Sequence, residues 1–169
     1  MDTMARQLAS AKASAQAAPA KTTRIGAENF RLDNHIFYLF GQIFGHRNLA
    51  LNRELRQFGI DYPRWRVLAF LNERPDCSML ELANGTAVDR TTLAYTVRNM
   101  VEEGLVRRAQ RASDRRSVAL GLTSRGSLML KRILPTVLEI NDQCLSGFRE
   151  PEVSTLLAQL RRIIDNIKA

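Results

Sequence analysis

A chain of 169 residues, 45% of them hydrophobic, is long and apolar enough to fold as one domain of ordinary size, which excludes a wholly disordered chain. Twenty-five Lys and Arg against 17 Asp and Glu leave a net charge of +8, which favours an anionic partner over a basic one. No stretch approaches the ~18 uninterrupted apolar residues of a membrane helix, and two cysteines, Cys77 and Cys144, make no disulfide framework. A reducing, cytoplasmic setting without membrane contact is therefore expected, with both cysteines read most simply as small buried hydrophobes.

Residues 1–27 form an Ala-rich, basic tail, with Arg6, Lys12, Lys21 and Arg24 set against Asp2 alone. The composition suits a transit peptide, an arm that touches phosphates, or a flexible solvated tail, and the last is the plainest. From Phe30 a helical pattern begins. Phe30, Phe37, Phe44, Leu51 and Phe58 recur at seven-residue spacing, flanked by Ile36, Phe40, Ile43 and Leu55, which predicts one long helix within 28–60. Its stripe is too apolar for a single small neighbour, so part of it should meet a second chain. Gly59-Ile60-Asp61-Tyr62 breaks the pattern, and Pro63 suits the first turn of a second helix running to about Glu73.

Ser78 with Glu81 is a capping-box signature for a short third helix carrying Met79, Leu82 and Ala83 inward. Asp89 is placed to cap a fourth, whose Leu93, Val97, Met100 and Val101 make a core face before Gly104 stops it. Two β-prone segments follow, Leu105 to Ala109 and Ser117 to Leu122, with the polar run Gln110 to Arg116 read as a longer loop. Thr123 caps a long helix to about Ser146 that continues through Pro135, with Gly147 as its stop. Pro151 opens a last helix with an apolar stripe of Leu156, Leu157, Leu160, Ile163, Ile164 and Ile167.

The expected fold is therefore mainly α with a small β-hairpin wing. Two short helices joined by a tight turn and followed by a basic hairpin form a winged helix-turn-helix, here over residues 61–123, flanked by long N- and C-terminal dimerisation helices at 28–60 and 124–169. With its core face inward, the fourth helix turns Arg90, Thr91, Ala94, Tyr95 and Arg98 outward. These side chains suit a major groove: Arg can grip guanine, Thr and Tyr can bond phosphate or base edges, and Ala fits beside a thymine methyl. A solvated amphipathic face would look similar, so the helix alone is weak evidence. The hairpin is stronger. Arg107, Arg108, Arg111, Arg115, Arg116 and Arg125 lie between 105 and 125 against the single acid Asp114, where a solvated loop would mix signs. Arginine in a narrow minor groove is favoured by the negative potential there.

The run VDRTTLAYTVRNMVEEGLVRRAQRASDRRSVALGLTSRG, with DYPRWRVLAFL before it, resembles the MarR family of bacterial transcriptional regulators, over about Phe30 to Ile167. The most specific element is Asp114, Arg115, Arg116 and Ser117 followed by Leu122, Thr123 and Gly126. The resemblance implies that Asp114 and Arg116 hold the wing tip in the minor groove. One departure is Ala87, where the family often has Gly: either the turn moves toward Asn84-Gly85, or Ala87 avoids a positive φ.

The resemblance also implies a homodimer, a pseudo-palindromic double-stranded DNA operator, repression, and release by a small molecule bound between the dimer helices and the DNA-binding lobe. Phe37, Tyr38, His46, Trp65 and Arg66 could line such a cavity and would suit an aromatic carboxylate or its coenzyme A thioester, although each residue taken separately reads more simply as core or surface. No cofactor and no metal are expected. An architectural DNA binder without an effector and a cysteine-based redox sensor are the alternatives; neither Cys77 nor Cys144 has a sequence-local activating motif. A zinc sensor is weaker, with only His35 and His46 to supply nitrogen. The absence of a phosphate loop, a nucleophile elbow and a metal-ligand cluster argues against an enzyme.

Overall fold

The computed structural model describes residues 30–168 apart from the hairpin tip at 112–113, and describes backbone alone at 111 and 114–117. The expectations for the basic tail and for the wing-tip side chains lie outside the described residues. The chain divides into two compact units, residues 1–41 and 42–169.

In the first unit a 3₁₀ turn, Leu32–Asn34, precedes helix α1, Ile36–Leu55, whose remaining length belongs to the second unit. The expected helix from Phe30 is thus shorter at its start. His35 is extended there, at φ −84° and ψ 114°. Its Nδ1 accepts a hydrogen bond from the Tyr38 backbone N–H at 3.3 Å, capping the new helix start. Around it the rings of Phe30 and Phe37 lie 5.4 and 6.0 Å from the imidazole. Aromatic spacing carries no information about such a cap.

In the second unit α1 ends at Leu55, also short of the expectation, because a 3₁₀ turn, Arg56–Phe58, and left-handed Gly59 follow. Helix α2, Tyr62–Glu73, is capped by Asp61, which accepts from the Arg64 N–H at 2.9 Å. Tyr62, read from sequence as part of the break, is its first residue. Helix α3, Met79–Thr86, has both bonds of the expected capping box between Ser78 and Glu81. Helix α4, Arg90–Glu102, is capped by Asp89 through the Thr92 N–H at 2.9 Å. Strands β1, Val106–Arg111, and β2, Asp114–Leu122, pair antiparallel from Val106↔Leu122 to Gln110↔Val118, then shift register to Arg111↔Asp114. The run Gln110 to Arg116 is therefore mostly strand and not loop; charged side chains do not interrupt a ladder whose outer end needs no apolar face. Leu120 also donates its N–H to the Cys77 carbonyl at 2.8 Å, tying the hairpin to the segment before α3.

Helix α5, Ser124–Cys144, is capped by Thr123, runs through Pro135, and ends two residues before the expected Ser146. Helix α6, Glu150–Lys168, completes the chain. One core joins Leu51 and Leu55 of α1, Val67, Leu68 and Leu71 of α2, Leu82 of α3, the inner face of α4, and Leu130, Ile133, Val137 and Ile140 of α5. Each such side chain stabilises by roughly 1.5–3 kcal/mol when fully buried. Helix α6 adds none, and Leu157, Ile164 and Ile167 on it are exposed, as are Ile36, Phe37, Phe44 and Leu49 on α1. Cys77 is buried as expected, but Cys144 is exposed at the end of α5, so that expectation fails for it.

The departure at Ala87 resolves as neither alternative. Helix α3 passes through Asn84 and Gly85 without breaking, and Ala87 itself takes the left-handed conformation, φ 51° and ψ 32°. Gly85 serves a different purpose: a Cβ there would lie 1.8 Å from a ring carbon of Phe70. The glycine lets α3 lie against α2 at that ring. Gly85→Ala should therefore overpack the α2–α3 contact and cost about 1–3 kcal/mol in denaturant unfolding. Phe70→Leu in the same chain should recover part of the loss, and an undiminished loss in that background would remove the Phe70 explanation.

Candidate nucleic-acid interface

The geometry of α4 follows from its two faces. Leu93, Val97 and Met100 are fully buried. Arg90, Thr91, Ala94, Tyr95 and Arg98 are all exposed on the other side. Thr96, singled out by no motif, is buried with the core face. The Arg98 guanidinium carbon sits 5.3 Å from the centroid of the Tyr95 ring, one helical turn earlier. Stacking of that kind restricts the arginine without using its N–H groups as hydrogen-bond donors. The N-terminus of α4 is the electropositive end of its dipole. Asp89 occupies the cap, and hydrogen bonds from Thr92, side chain first and backbone second, hold its carboxyl below the usual range.

The hairpin sits at the other side of this helix in sequence and is held by contacts that no short motif announces. Arg107 pairs with Asp76 at 2.8 Å, so Asp114 is not the only acid serving the basic cluster. Arg125 donates to the Glu103 carbonyl at 2.9 Å, and Arg64 forms a two-pronged pair with the Glu103 carboxylate. Arg107 and Arg125 are thus engaged within the fold, although both are exposed, as is Arg108. Arg111 and Asp114 face each other as register partners beside the tip, with Arg115 and Arg116 following on β2; the side chains of all four lie outside the described residues. The base of the wing explains Thr123 and Gly126. The Thr123 hydroxyl accepts from the Gly126 N–H at 3.0 Å and donates to the Gly104 carbonyl at 2.6 Å, while a Cβ at Gly126 would meet the Leu105 carbonyl oxygen at 2.1 Å.

The residues considered for a small molecule are divided. Phe37 and Tyr38 belong to the first unit, where both are exposed. His46 is exposed on α1. Trp65 and Arg66 do come together, on the wall of a shallow groove of about 200 Å³ shared with Ala69, Phe70, Glu73 and Gly85. Arg66 is already engaged, donating through Nε to the Thr86 carbonyl at 2.9 Å. Among the described residues no group of three or more His, Cys, Asp or Glu is arranged to hold a metal ion. No described helix is long and apolar enough to cross a membrane.

A capped short helix, a tight turn, an exposed capped helix and a two-stranded basic hairpin define a winged helix-turn-helix DNA-binding protein. The MarR family model matches residues 58–117. The transcriptional repressor IacR of Pseudomonas putida is 27% identical over 165 residues, 95% of this chain and 99% of that one. A MarR-family regulator from Silicibacter pomeroyi superposes with a TM-score of 0.76 and 28% identity, covering 85% of this chain and 97% of its own. Bordetella bronchiseptica BpsR, whose DNA binding is regulated by 6-hydroxynicotinic acid, shares the fold at a TM-score of 0.72 and 18% identity over 80% of this chain and 97% of its own. Over residues 58–117 the chain thus matches the MarR family, and along nearly its whole length it is similar to DNA-binding transcriptional regulators of that family.

The low carboxyl of Asp89 fixes the sign of one pH effect. Its folded-state pKa is depressed, so its capping contribution is complete above the ordinary aspartate value near ~4 and fades as pH falls through the lower folded value. Helix α4 should therefore be indifferent to this group across neutral pH and should loosen in acid. Asp89→Asn, which caps without titrating, should reduce the acid loss of helicity; an identical acid limb in both proteins would place the loss elsewhere.

Proposed function

We propose that this regulator is a homodimeric repressor that reads a pseudo-palindromic operator with α4 and the wing, and that a small aromatic acid or its coenzyme A thioester releases it. The observation that carries the DNA half is the clean division of α4. Its core side chains are wholly buried, while Arg90, Thr91, Ala94, Tyr95 and Arg98 are exposed together. Arg111, Asp114, Arg115 and Arg116, whose backbone lies on the strands of the wing, are the minor-groove contacts of this reading. The exposed apolar residues of α1 and α6 support a second copy as partner, with 28–60 and 124–169 as dimerisation segments around a lobe of 61–123. A two-fold dimer places equivalent half-sites about one helical turn apart.

BpsR answers to a heteroaromatic acid, and the groove beside Trp65 and Arg66 offers an aromatic wall and a cation. His46 and, in the first unit, Phe37 and Tyr38 are the other candidates.

Operator selection from a random library followed by titration tests the DNA half. Arg98→Ala should cost about 1–3 kcal/mol and relax preference at one position if Arg98 reads a base, or lower the salt slope by about one if it meets a phosphate. Arg116→Ala should weaken operator binding strongly while light scattering still reports a dimer. Unchanged affinity at physiological salt in both variants would overturn the assignment. For the effector half, an aromatic acid should raise the melting temperature and weaken operator binding at the same concentrations. Silence across a broad panel of aromatic acids and acyl esters would leave a DNA binder without that effector class.

A further inference from the structure

Arg66 bridges α2 to the end of α3. Its Nε–H donates to the carbonyl of Thr86, the last residue of α3, at 2.9 Å. Thr86 is itself buried, and its hydroxyl donates back to the Leu82 carbonyl at 2.8 Å, although Gly85 and Ala87 on either side of it are exposed. The last carbonyls of a helix have no partner within it, and a buried one left unpaired is costly. A guanidinium is well suited to that position, because it satisfies the oxygen and complements the negative end of the helix dipole. Directly after Thr86 comes left-handed Ala87, then Val88, then the Asp89 cap of α4. Whatever holds the Thr86 carbonyl therefore holds the turn that aims α4. The same guanidinium lies 5.9 Å from the Tyr62 ring centroid, and Phe44 of α1 meets that ring edge-on at 5.6 Å. A cation braced from one side and bonded on the other cannot follow a change in the turn without giving up a contact.

We propose that Arg66 is a positioning residue for DNA reading: through the Thr86 carbonyl it fixes the angle at which α3 delivers α4, without touching DNA. The turn then owes its left-handed Ala87 to a bond made from a different helix. Loss of the bond loosens the aim of α4 and leaves every phosphate-contacting charge in place. Specific binding falls while non-specific binding does not.

The proposal rests on α4 as the reading helix, and Arg98→Ala serves as the control for that reading. The test compares Arg66→Met, which keeps the length of the side chain and removes the donor, with Arg66→Lys, which keeps a cationic donor. Affinities for the selected operator and for a scrambled duplex are measured across salt concentrations and corrected for the folded, active fraction. The net worth of a charged hydrogen bond predicts about a tenfold loss of operator affinity for Arg66→Met. The scrambled duplex should bind unchanged, with an unaltered salt slope, and Arg66→Lys should recover part of the loss. Equal losses on both duplexes with a shallower salt slope would make Arg66 a phosphate contact and overturn the proposal. So would unchanged operator affinity in Arg66→Met once Arg98→Ala has shown a loss, or a deficit that disappears on correction for the active fraction. If Arg98→Ala is itself without effect, the reading of α4 fails first.

Discussion

The position of α4 depends on how the ends of its neighbouring helices are tied. A helix of 13 residues is barely long enough to hold together alone, and its aim is set by what grips its two ends and the helix before it. Asp89 grips the start, and Arg64 reaches from α2 to Glu103 just past the end. Arg66, two residues along α2, reaches the end of α3. Helix α2 thereby acts as the frame against which both helices of the reading motif are set. The buried faces of Leu93, Val97 and Met100 supply most of the stabilisation, but apolar contacts are non-directional, and hydrogen bonds at helix ends supply the angle.

Much of this is legible in the amino-acid sequence. Capping residues read correctly because their chemistry is local: Ser78 with Glu81, Asp89 and Thr123 each satisfy a backbone N–H three residues on. The inward and outward faces of α4 read correctly because helical periodicity is a property of the segment itself. The failures have different causes. The start of α1 is set by a cap as local as the others, but made by His35, which is not among the usual capping residues. Ala87 takes a left-handed conformation where no glycine stands, and the strands extend past their apolar base because ladder pairing needs no apolar face.

Counting charges along the chain was equally blind to partners from elsewhere. Asp76 lies far from Arg107 in sequence and 2.8 Å from it in space. The basic cluster thus contains cations already paired within the protein, such as Arg107, beside others counted the same way in the sequence. Sequence composition sums the two. The same blindness applies to Gly85 and Gly126, whose lack of a side chain is required by Phe70 and by the Leu105 carbonyl, neither of which stands beside them in the chain.

The apolar residues left outside the core constrain how the whole must assemble. Helix α6 has 19 residues and none of them is buried, although Leu157, Ile164 and Ile167 recur at helical spacing. A helix with an apolar face and nothing against it gains little from propensity alone, since tertiary packing stabilises most helices in proteins. Under the proposed dimer that face is covered by a second copy, and the order of α6 becomes linked to protomer concentration by mass action. The link extends to DNA. Two reading helices held by one pair of long helices bind as a unit, so the second contact is intramolecular and its strength is set by spacing rather than by any new side chain. A regulator built this way can change operator affinity by altering the distance between two lobes while each lobe keeps its capped, packed interior intact.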